Sequence, residues 1–430
     1  MERTYVDLLS DCVHCGFCLP ACPTYVSWHN EMDSPRGRID LMRGVEDNAL
    51  AFTPAVVEHL DRCLGCMGCV TACPSGVRYD LLIEAARERV EQCVKRSLPD
   101  RAFRAFIFAL FPYPKRLRFA AALLKLYART GLQQFARKSG VLKLLPVRLQ
   151  QLEALAPPIV QEQPLPAFTA AHGTPRACVG VVAGCVQRVF FPNVNAATVR
   201  VLAAEGCDVL VPGDQGCCGA LSLHAGRRGE AKRFARALID RFATENVDTI
   251  IVNAAGCGSV LKQYGELFAD DPAYCDKAAS FAERVRDINE YLASIEPGAP
   301  RGRIDECIAY HDACHLAHAQ RIREQPRALL RGIPGMRLVD IPNGDQCCGS
   351  AGIYNLLEPE SARAIGDRKA EHVLSTGVMV LASANPGCTL HIQSRLRARG
   401  ASVDALHPVE LLDRSIRAAM QGPNGTSKDS

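Results

Sequence analysis

From residue 177 onward, short apolar runs alternate with longer stretches in which apolar side chains recur every three or four positions. That is the pattern of strands feeding helices. Runs at 179–183, 209–211 and 249–252 predict strands in one half of this region, and runs at 308–310, 338–341 and 378–381 predict strands in the other. Helices are expected at 193–204, 229–243, 360–374 and 388–399. Strand-helix-strand alternation of this kind implies parallel sheets. The first 98 residues lack it and instead show two short helical stretches, 35–42 and 54–60, each with proline in its first turn.

Between Arg101 and Arg148 the pattern changes again. Arg101, Arg104, Lys115, Arg116, Arg118, Lys125, Arg129, Arg137, Lys138, Lys143 and Arg148 occur without one acidic residue, interleaved with Phe103, Phe106, Phe108, Phe111, Tyr113, Phe119 and Tyr127. A basic, aromatic, helix-prone segment suits a membrane surface, where cations meet anionic headgroups and rings settle at the interface. It equally suits a positive collar that docks on an acidic partner or packs on the N-terminal domain. The expected architecture is α+β and multidomain: a helical domain at 1–98, a basic helical connector at 99–155, a proline-rich linker at 156–176, two α/β units at 177–300 and 301–420, and a flexible tail at 421–430.

The 430 residues carry 21 cysteines and a formal net charge of +4. The opening, MERTYVDLLSDC, is charged, so no secretory signal is expected, and cysteines gathered in motifs then read as metal ligands in a reducing compartment. The most apolar stretch, 102–126, is broken by Pro112 and Pro114 and studded with Arg and Lys, so no membrane span is expected.

Two runs repeat one ligand spacing: Cys12, Cys15, Cys18 and Cys22 before Pro23, and Cys63, Cys66, Cys69 and Cys73 before Pro74. Three cysteines at intervals of three can wrap three corners of a 4Fe-4S cube, while the fourth, before proline, serves the neighbouring cluster. The expected sets are therefore crossed: Cys12, Cys15, Cys18 and Cys73 for one 4Fe-4S cluster, and Cys63, Cys66, Cys69 and Cys22 for the other. Zinc knuckles close with paired C-x2-C turns, which a proline-ended run of four does not match.

Cysteines recur in the α/β region as well. Cys185, Cys217, Cys218 and Cys257 are answered by Cys314, Cys347, Cys348 and Cys388 at offsets of 129, 130, 130 and 131 residues, so the two halves are copies. Each cysteine closely follows an expected strand, at the carboxyl edge where α/β folds place their sites. Vicinal thiolates can bridge irons of one cluster, and the glycine after each pair, Gly219 and Gly349, is expected to let the backbone approach an inorganic core. Cys93, Cys178, Cys207, Cys275 and Cys307 read as buried small apolar residues.

These repeats resemble the cysteine-rich CCG domain of heterodisulfide reductases and of iron-sulfur subunits of flavin-linked dehydrogenases. With HCGFCLPACPTY, SPRGRI, ACPSGVRYDLL, AAGCGSVLKQYG, CHLAHAQ, CCGSAGIYNL and ANPGC, the stretch from Asp11 to Ala419 resembles the glycolate oxidase iron-sulfur subunit family. The resemblance implies two 4Fe-4S clusters, one or two further clusters in the CCG repeats, FAD-containing oxidase subunits as partners, and electrons passed towards membrane quinone. It implies a cytoplasmic protein, peripheral on the inner face of the membrane, inactive alone and with no nucleic-acid partner. Glycerol-3-phosphate and lactate dehydrogenases carry similar subunits.

In heterodisulfide reductases each repeat ends in C-x-x-C and can perform disulfide chemistry, the alternative function for this chain. Here Val260 and His391 occupy the final positions. His391, three residues beyond Cys388 and on the same helix face, is a candidate extra ligand or a histidine hydrogen-bonded to sulfur. Among His311, His315 and His318, which flank Cys314, His315 is the best candidate to donate to cluster sulfur. No G-x-G-x-x-G or Walker A sequence occurs, so no nucleotide site, and no catalytic residue, is expected in this chain.

Overall fold

The computed structural model describes residues 4–157 and 165–421. The first segment of about a hundred residues is helical, with no strand among its described residues. Ser34 and Thr53 cap the helices Pro35–Glu46 and Pro54–Asp61 by accepting from the backbone N–H groups of Gly37 and Val56, with proline at the first helical position of each. Together with Tyr79–Cys93 they bury Leu9, Ile39, Met42, Leu60, Leu82 and Ile83 in one core, around which the cysteine runs are wrapped.

The α/β region holds two sheets. In the first, β1 (Phe168–Thr169), β2 (Ala177–Val182), β3 (Cys207–Leu210), β4 (Thr249–Val252) and β5 (Val285–Asp287) lie in the order β1-β3-β2-β4-β5, all parallel except β1. In the second, β6 (Cys307–His311), β7 (Arg337–Asp340), β8 (Val380–Ser383) and β9 (Asp404–Leu406) lie in the order β7-β6-β8-β9, all parallel. The order of the parallel strands is the same in the two sheets, so each repeat reverses direction between its first and third strands. Ligands of open α/β sheets bind beyond the carboxyl ends at such a reversal.

Residues 165–176, expected as linker, behave otherwise: β1 pairs antiparallel with β3 through Phe168 and Leu210, closing the edge of the first sheet. Residues 158–164 of that linker and 422–430 of the expected tail lie outside the described residues. Helix Pro192–Ala204 packs against Pro408–Gln421 and brings the repeats together, with Val194, Val201, Ile308, Leu330, Val409 and Ile416 in one shared core. Arg200 and Asp413 pair across that contact at 2.7 Å.

The connector forms the helices Leu98–Leu110, Pro114–Arg129, Leu132–Ser139 and Val147–Ala154. Its first part faces inward: Ile107 and Phe108 are buried against Ile353 and Leu356 of the second repeat, and Tyr113 meets Phe234 of the first edge-on. Several of its cations are paired, Arg104 with Asp100 and Glu91, Arg148 with Asp100, and Arg137 with Glu153.

Candidate metal centres

The crossed set Cys22, Cys63, Cys66 and Cys69 lines one small pocket together with Arg38, Leu64 and Tyr79. Burial pushes the Cys66 and Cys69 thiols well up, and neighbouring thiols, Cys22 and Cys63 among them, push them further. Cys63 differs. Burial raises it too, but the guanidinium groups of Arg38 and Arg87 overcome that and hold it below the usual thiol range. The Gly65 N–H reaches its sulfur at 3.3 Å, and the Tyr79 hydroxyl donates to it at 3.6 Å. Three buried thiols and the half-buried Cys66 beside a buried cation fit a polyanionic 4Fe-4S cluster.

The other set is less enclosed. Cys12, Cys18 and Cys73 pack partly buried on the helical core, while Cys15 is exposed. Burial raises Cys18 to about 11, partly offset by a bond from the Arg36 backbone N–H, and Cys12 acts on it as a near neighbour. Arg36 also donates to the His14 carbonyl at 2.9 Å, which fastens the loop between these cysteines.

In the first repeat Cys185 follows β2, Cys217 and Cys218 follow β3, and Cys257 lies in the helix Ala255–Lys262 after β4. Cys185 and Cys217 approach to 3.7 Å. Sulfur-sulfur hydrogen bonds run on from Cys217 to Cys218 and from Cys218 to Cys257, raising Cys217 and Cys257 while lowering Cys218. The same chain of contacts links Cys314, Cys347, Cys348 and Cys388 at the carboxyl ends of β6, β7 and β8. Each set is a run of neighbouring thiols, all four buried in the second repeat and three of the four in the first, and fits an iron-sulfur group.

The glycines after each pair serve helix packing as well as the sulfur. Gly219 and Gly349 adopt φ of +82° and +89°, and a Cβ would strike the carbonyl oxygen of Ala231 at 2.9 Å or of Ala362 at 2.7 Å. Their bare faces admit the helices Arg228–Ala243 and Pro359–Leu374. Each N–H turns to the first sulfur of its pair, at 3.4 Å for Cys217 and 3.5 Å for Cys347.

Leu64, Cys314 and Cys347 share one buried cluster with Cys66 packed against it, so the second ferredoxin run abuts the second repeat. Cys314 is the charge that most raises Cys66 after burial itself. His318 bonds Thr71 at 2.7 Å and the Asp345 carbonyl at 3.0 Å, which fixes this contact. His315 Nδ1 lies 3.7 Å from Cys314 Sγ, and its ring stands 4.9 Å from that of His224 in the first repeat. Asn385 donates to Cys388 Sγ at 3.4 Å and accepts from the Gly256 N–H, beside Cys257, at 3.1 Å.

His391 is engaged elsewhere than sulfur. Its Nε2 bonds the Ala362 carbonyl at 3.0 Å and its Nδ1 meets Asn355 at 3.4 Å, because the helix rotation that directs Cys388 at the site turns His391 beneath Gly349 and Gly366. His311 takes the place expected of it: the ligand atoms of His311, Cys348 and Cys388 all lie within 4.8 Å of one another. Burial and the nearby Lys369 hold its imidazole down at about 3, hence neutral. Of the cysteines outside the sets only Cys207 is buried; Cys93 is exposed at a helix end, and Cys178, Cys275 and Cys307 are half-buried.

The family model for the linker region of the glycolate oxidase iron-sulfur subunit matches residues 99–156, that for the 4Fe-4S dicluster domain residues 8–77, and that for the cysteine-rich domain residues 179–262 and 308–393. The chain is 38% identical over 420 residues to the probable glycolate oxidase iron-sulfur subunit of Bacillus subtilis, covering 96% of this chain and 95% of that protein. It is 37% identical over 418 residues to the glycolate oxidase iron-sulfur subunit of Escherichia coli, covering 95% of each. This chain belongs to the glycolate oxidase iron-sulfur subunit family. Lactate utilization protein A of Shouchella clausii is 29% identical over 236 residues, 98% of its length but 55% of this chain. A hypothetical protein from Helicobacter pylori shares the fold at a TM-score of 0.57 and 7% identity, covering 97% of this chain and 73% of its own.

As a member of that family the chain carries a 4Fe-4S dicluster domain, a helical linker and two CCG repeats, and it is an iron-sulfur protein. Sequence reasoning missed the cations that serve these centres. Arg38 shares a helix face with Pro35, Ile39 and Met42, all buried, so its place on an apolar stripe was the available signal. Lys369 is 2% exposed and donates to the carbonyls of Asn343 and Gly344 while its charge acts on Cys347 and Cys348. Nothing in the local sequence marks it.

Proposed function

We propose that this chain is the electron-conducting subunit of a flavin-linked 2-hydroxyacid dehydrogenase that oxidises glycolate to glyoxylate. The observation that carries the reading is the contact of Cys66 with Cys314 and Cys347, which sets a ferredoxin centre directly against a CCG centre. Iron-sulfur clusters held there supply one-electron transfer. The protein's own part is to present thiols in fixed sets, exclude water from them, and balance their charge with Arg38, Arg87 and Lys369. The ligand sets are Cys12, Cys15, Cys18 and Cys73; Cys63, Cys66, Cys69 and Cys22; Cys185, Cys217, Cys218 and Cys257; and Cys314, Cys347, Cys348 and Cys388. Two 4Fe-4S clusters occupy the first two sets, with one or two further clusters in the repeats.

Without a nucleotide-binding fingerprint, this chain leaves the two-electron step to FAD-containing partner subunits. Quinone is the acceptor class that suits single-electron delivery at a membrane. No helix among the described residues is long and apolar enough to cross one. The surface of the connector supplies contact instead: Phe119, Leu123, Leu126, Leu132, Phe135 and Leu144 are exposed, among the exposed cations Lys115, Arg129, Lys138 and Lys143. Apolar side chains within a cationic field match an anionic lipid surface on the cytoplasmic side.

The test is Cys66→Ser in the complex with the flavoprotein. One low-potential electron paramagnetic resonance signal should disappear, and glycolate should still reduce the flavin while quinone-analogue reduction falls at least tenfold. Full quinone reduction by the variant would refute the conducting role.

A further inference from the structure

The second repeat holds a buried imidazole that the conducting role has not used. His311 ends β6 with no exposed surface, and neither of its ring nitrogens has a hydrogen-bond partner. A buried polar group left unpaired costs about 1–3 kcal/mol, so a side chain in this state calls for a physical reason. The reason lies in what it faces: its ligand nitrogen is within 4.8 Å of both Cys348 Sγ and Cys388 Sγ.

Of the neighbouring histidines, His315 meets sulfur through Nδ1, 3.7 Å from Cys314 Sγ, and the other two are committed away from it. His318 is held by Thr71, Arg323 and the Asp345 carbonyl, and His391 by Asn355 and the Ala362 carbonyl. The first repeat has no counterpart. Val182 pairs with Val252 at the end of β2 as His311 pairs with Ser383 at the end of β6, so valine stands at the equivalent strand end. Imidazole nitrogen replaces thiolate on iron in some iron-sulfur centres and raises their potential, because a neutral ligand takes the place of an anion.

We propose that His311 is a direct iron ligand of the second CCG centre, the fifth after Cys314, Cys347, Cys348 and Cys388. It enters from the strand end and fills the role left open by the absence of a second cysteine on the helix Pro386–Ala398. The two CCG centres are then unlike: the first has four thiols, and the second has four thiols and a nitrogen. Lys369, buried beside Cys347 and Cys348, adds to the same asymmetry. Because the nitrogen adds no negative charge while Lys369 brings a positive one, the second centre, which abuts the ferredoxin domain, is the more easily reduced of the pair. This inference rests on the reading that the CCG repeats carry iron-sulfur groups.

The experiment uses the full chain, purified without oxygen and labelled with 15N-histidine, and reads pulsed electron paramagnetic resonance beside iron and sulfide content. A nitrogen coupling that changes with the label is expected on a signal removed by Cys388→Ser. It should persist in His391→Gln and vanish in His311→Val. His311→Cys, which can restore a ligand, should keep the iron and lose the coupling, covering the case in which valine prevents folding. Coupling that survives both His311 variants, or iron in the second repeat with no nitrogen coupling, overturns the ligand assignment alone. Iron of only about eight atoms per chain, four for each ferredoxin cluster, overturns the cluster reading of the repeats and the ligand with it.

Discussion

Arg38 illustrates how one side chain joins folding to redox chemistry. Its guanidinium is 1% exposed, donating to the His59 carbonyl at 2.6 Å and to Thr24 Oγ1 at 3.2 Å, and pairing with the buried Asp33 at 3.4 Å. Burial works against its charge, but Cys63, Tyr79, Cys22 and Asp33 more than compensate and keep it protonated. Removing one member of a buried pair strands the other, at a cost of about 3–5 kcal/mol. Arg38→Met should therefore destabilise the protein by that order in chemical denaturation. It should also lower the potential of the adjacent cluster in a redox titration, while Arg38→Lys recovers most of the potential. A potential that does not move would confine Arg38 to a structural role.

At the scale of elements, the CCG turn is a tight strand-to-helix junction in which one glycine meets two demands. A left-handed backbone costs a residue with a Cβ about 1–2 kcal/mol, and at Gly349 that Cβ would also sit 2.7 Å from the Ala362 carbonyl oxygen. Gly349→Ala should thus destabilise by more than the backbone cost alone and displace the N–H that faces Cys347. Thermal melts and iron content per chain check this, with iron loss expected from the second repeat; an alanine variant that keeps both would disprove the close approach. The longer elements were legible from periodicity, with β4 matching its expected span and helices such as Arg228–Ala243 beginning one residue early. The strands β1, β5 and β9, of two or three residues, are too short to display any period, and they form because a neighbouring strand offers its edge.

At the scale of the molecule, the basic connector divides its labour. Its inward half ties the ferredoxin domain to both repeats, as where Arg227 lies 4.2 Å over the Phe108 ring. Its outward half carries the exposed Phe119, Phe135 and Leu144 among unshielded cations. The full chain should bind vesicles rich in phosphatidylglycerol and release them as salt rises. Replacing Lys115, Arg129, Lys138 and Lys143 together with alanine should weaken binding at least tenfold, since each cation near an anionic surface contributes about 1 kcal/mol. Absence of vesicle binding in the parent chain would leave the exposed face to a protein partner. The inward half meets the expectation of a collar packed on the N-terminal domain, and the vesicle measurement decides the outward half, because composition records how many cations a helix has but not which way they face.

The sequence by itself determined the family, the spacing of the thiols and the doubling of the α/β unit. These are local or periodic properties: ligand intervals must match a small rigid cluster, and a copied unit keeps its offsets. Tertiary structure alone decided what surrounds the sulfur. The burial of Arg38, the approach of Cys66 to Cys314 across some 250 residues, and the choice of His311 over His391 each depend on packing between elements distant in the chain. A spacing of three on a helix put His391 on the right face. Only the packed position of that helix shows that this face, one turn on, points at a glycine and a carbonyl, whereas a strand end from another part of the repeat delivers an unpartnered nitrogen to the thiols.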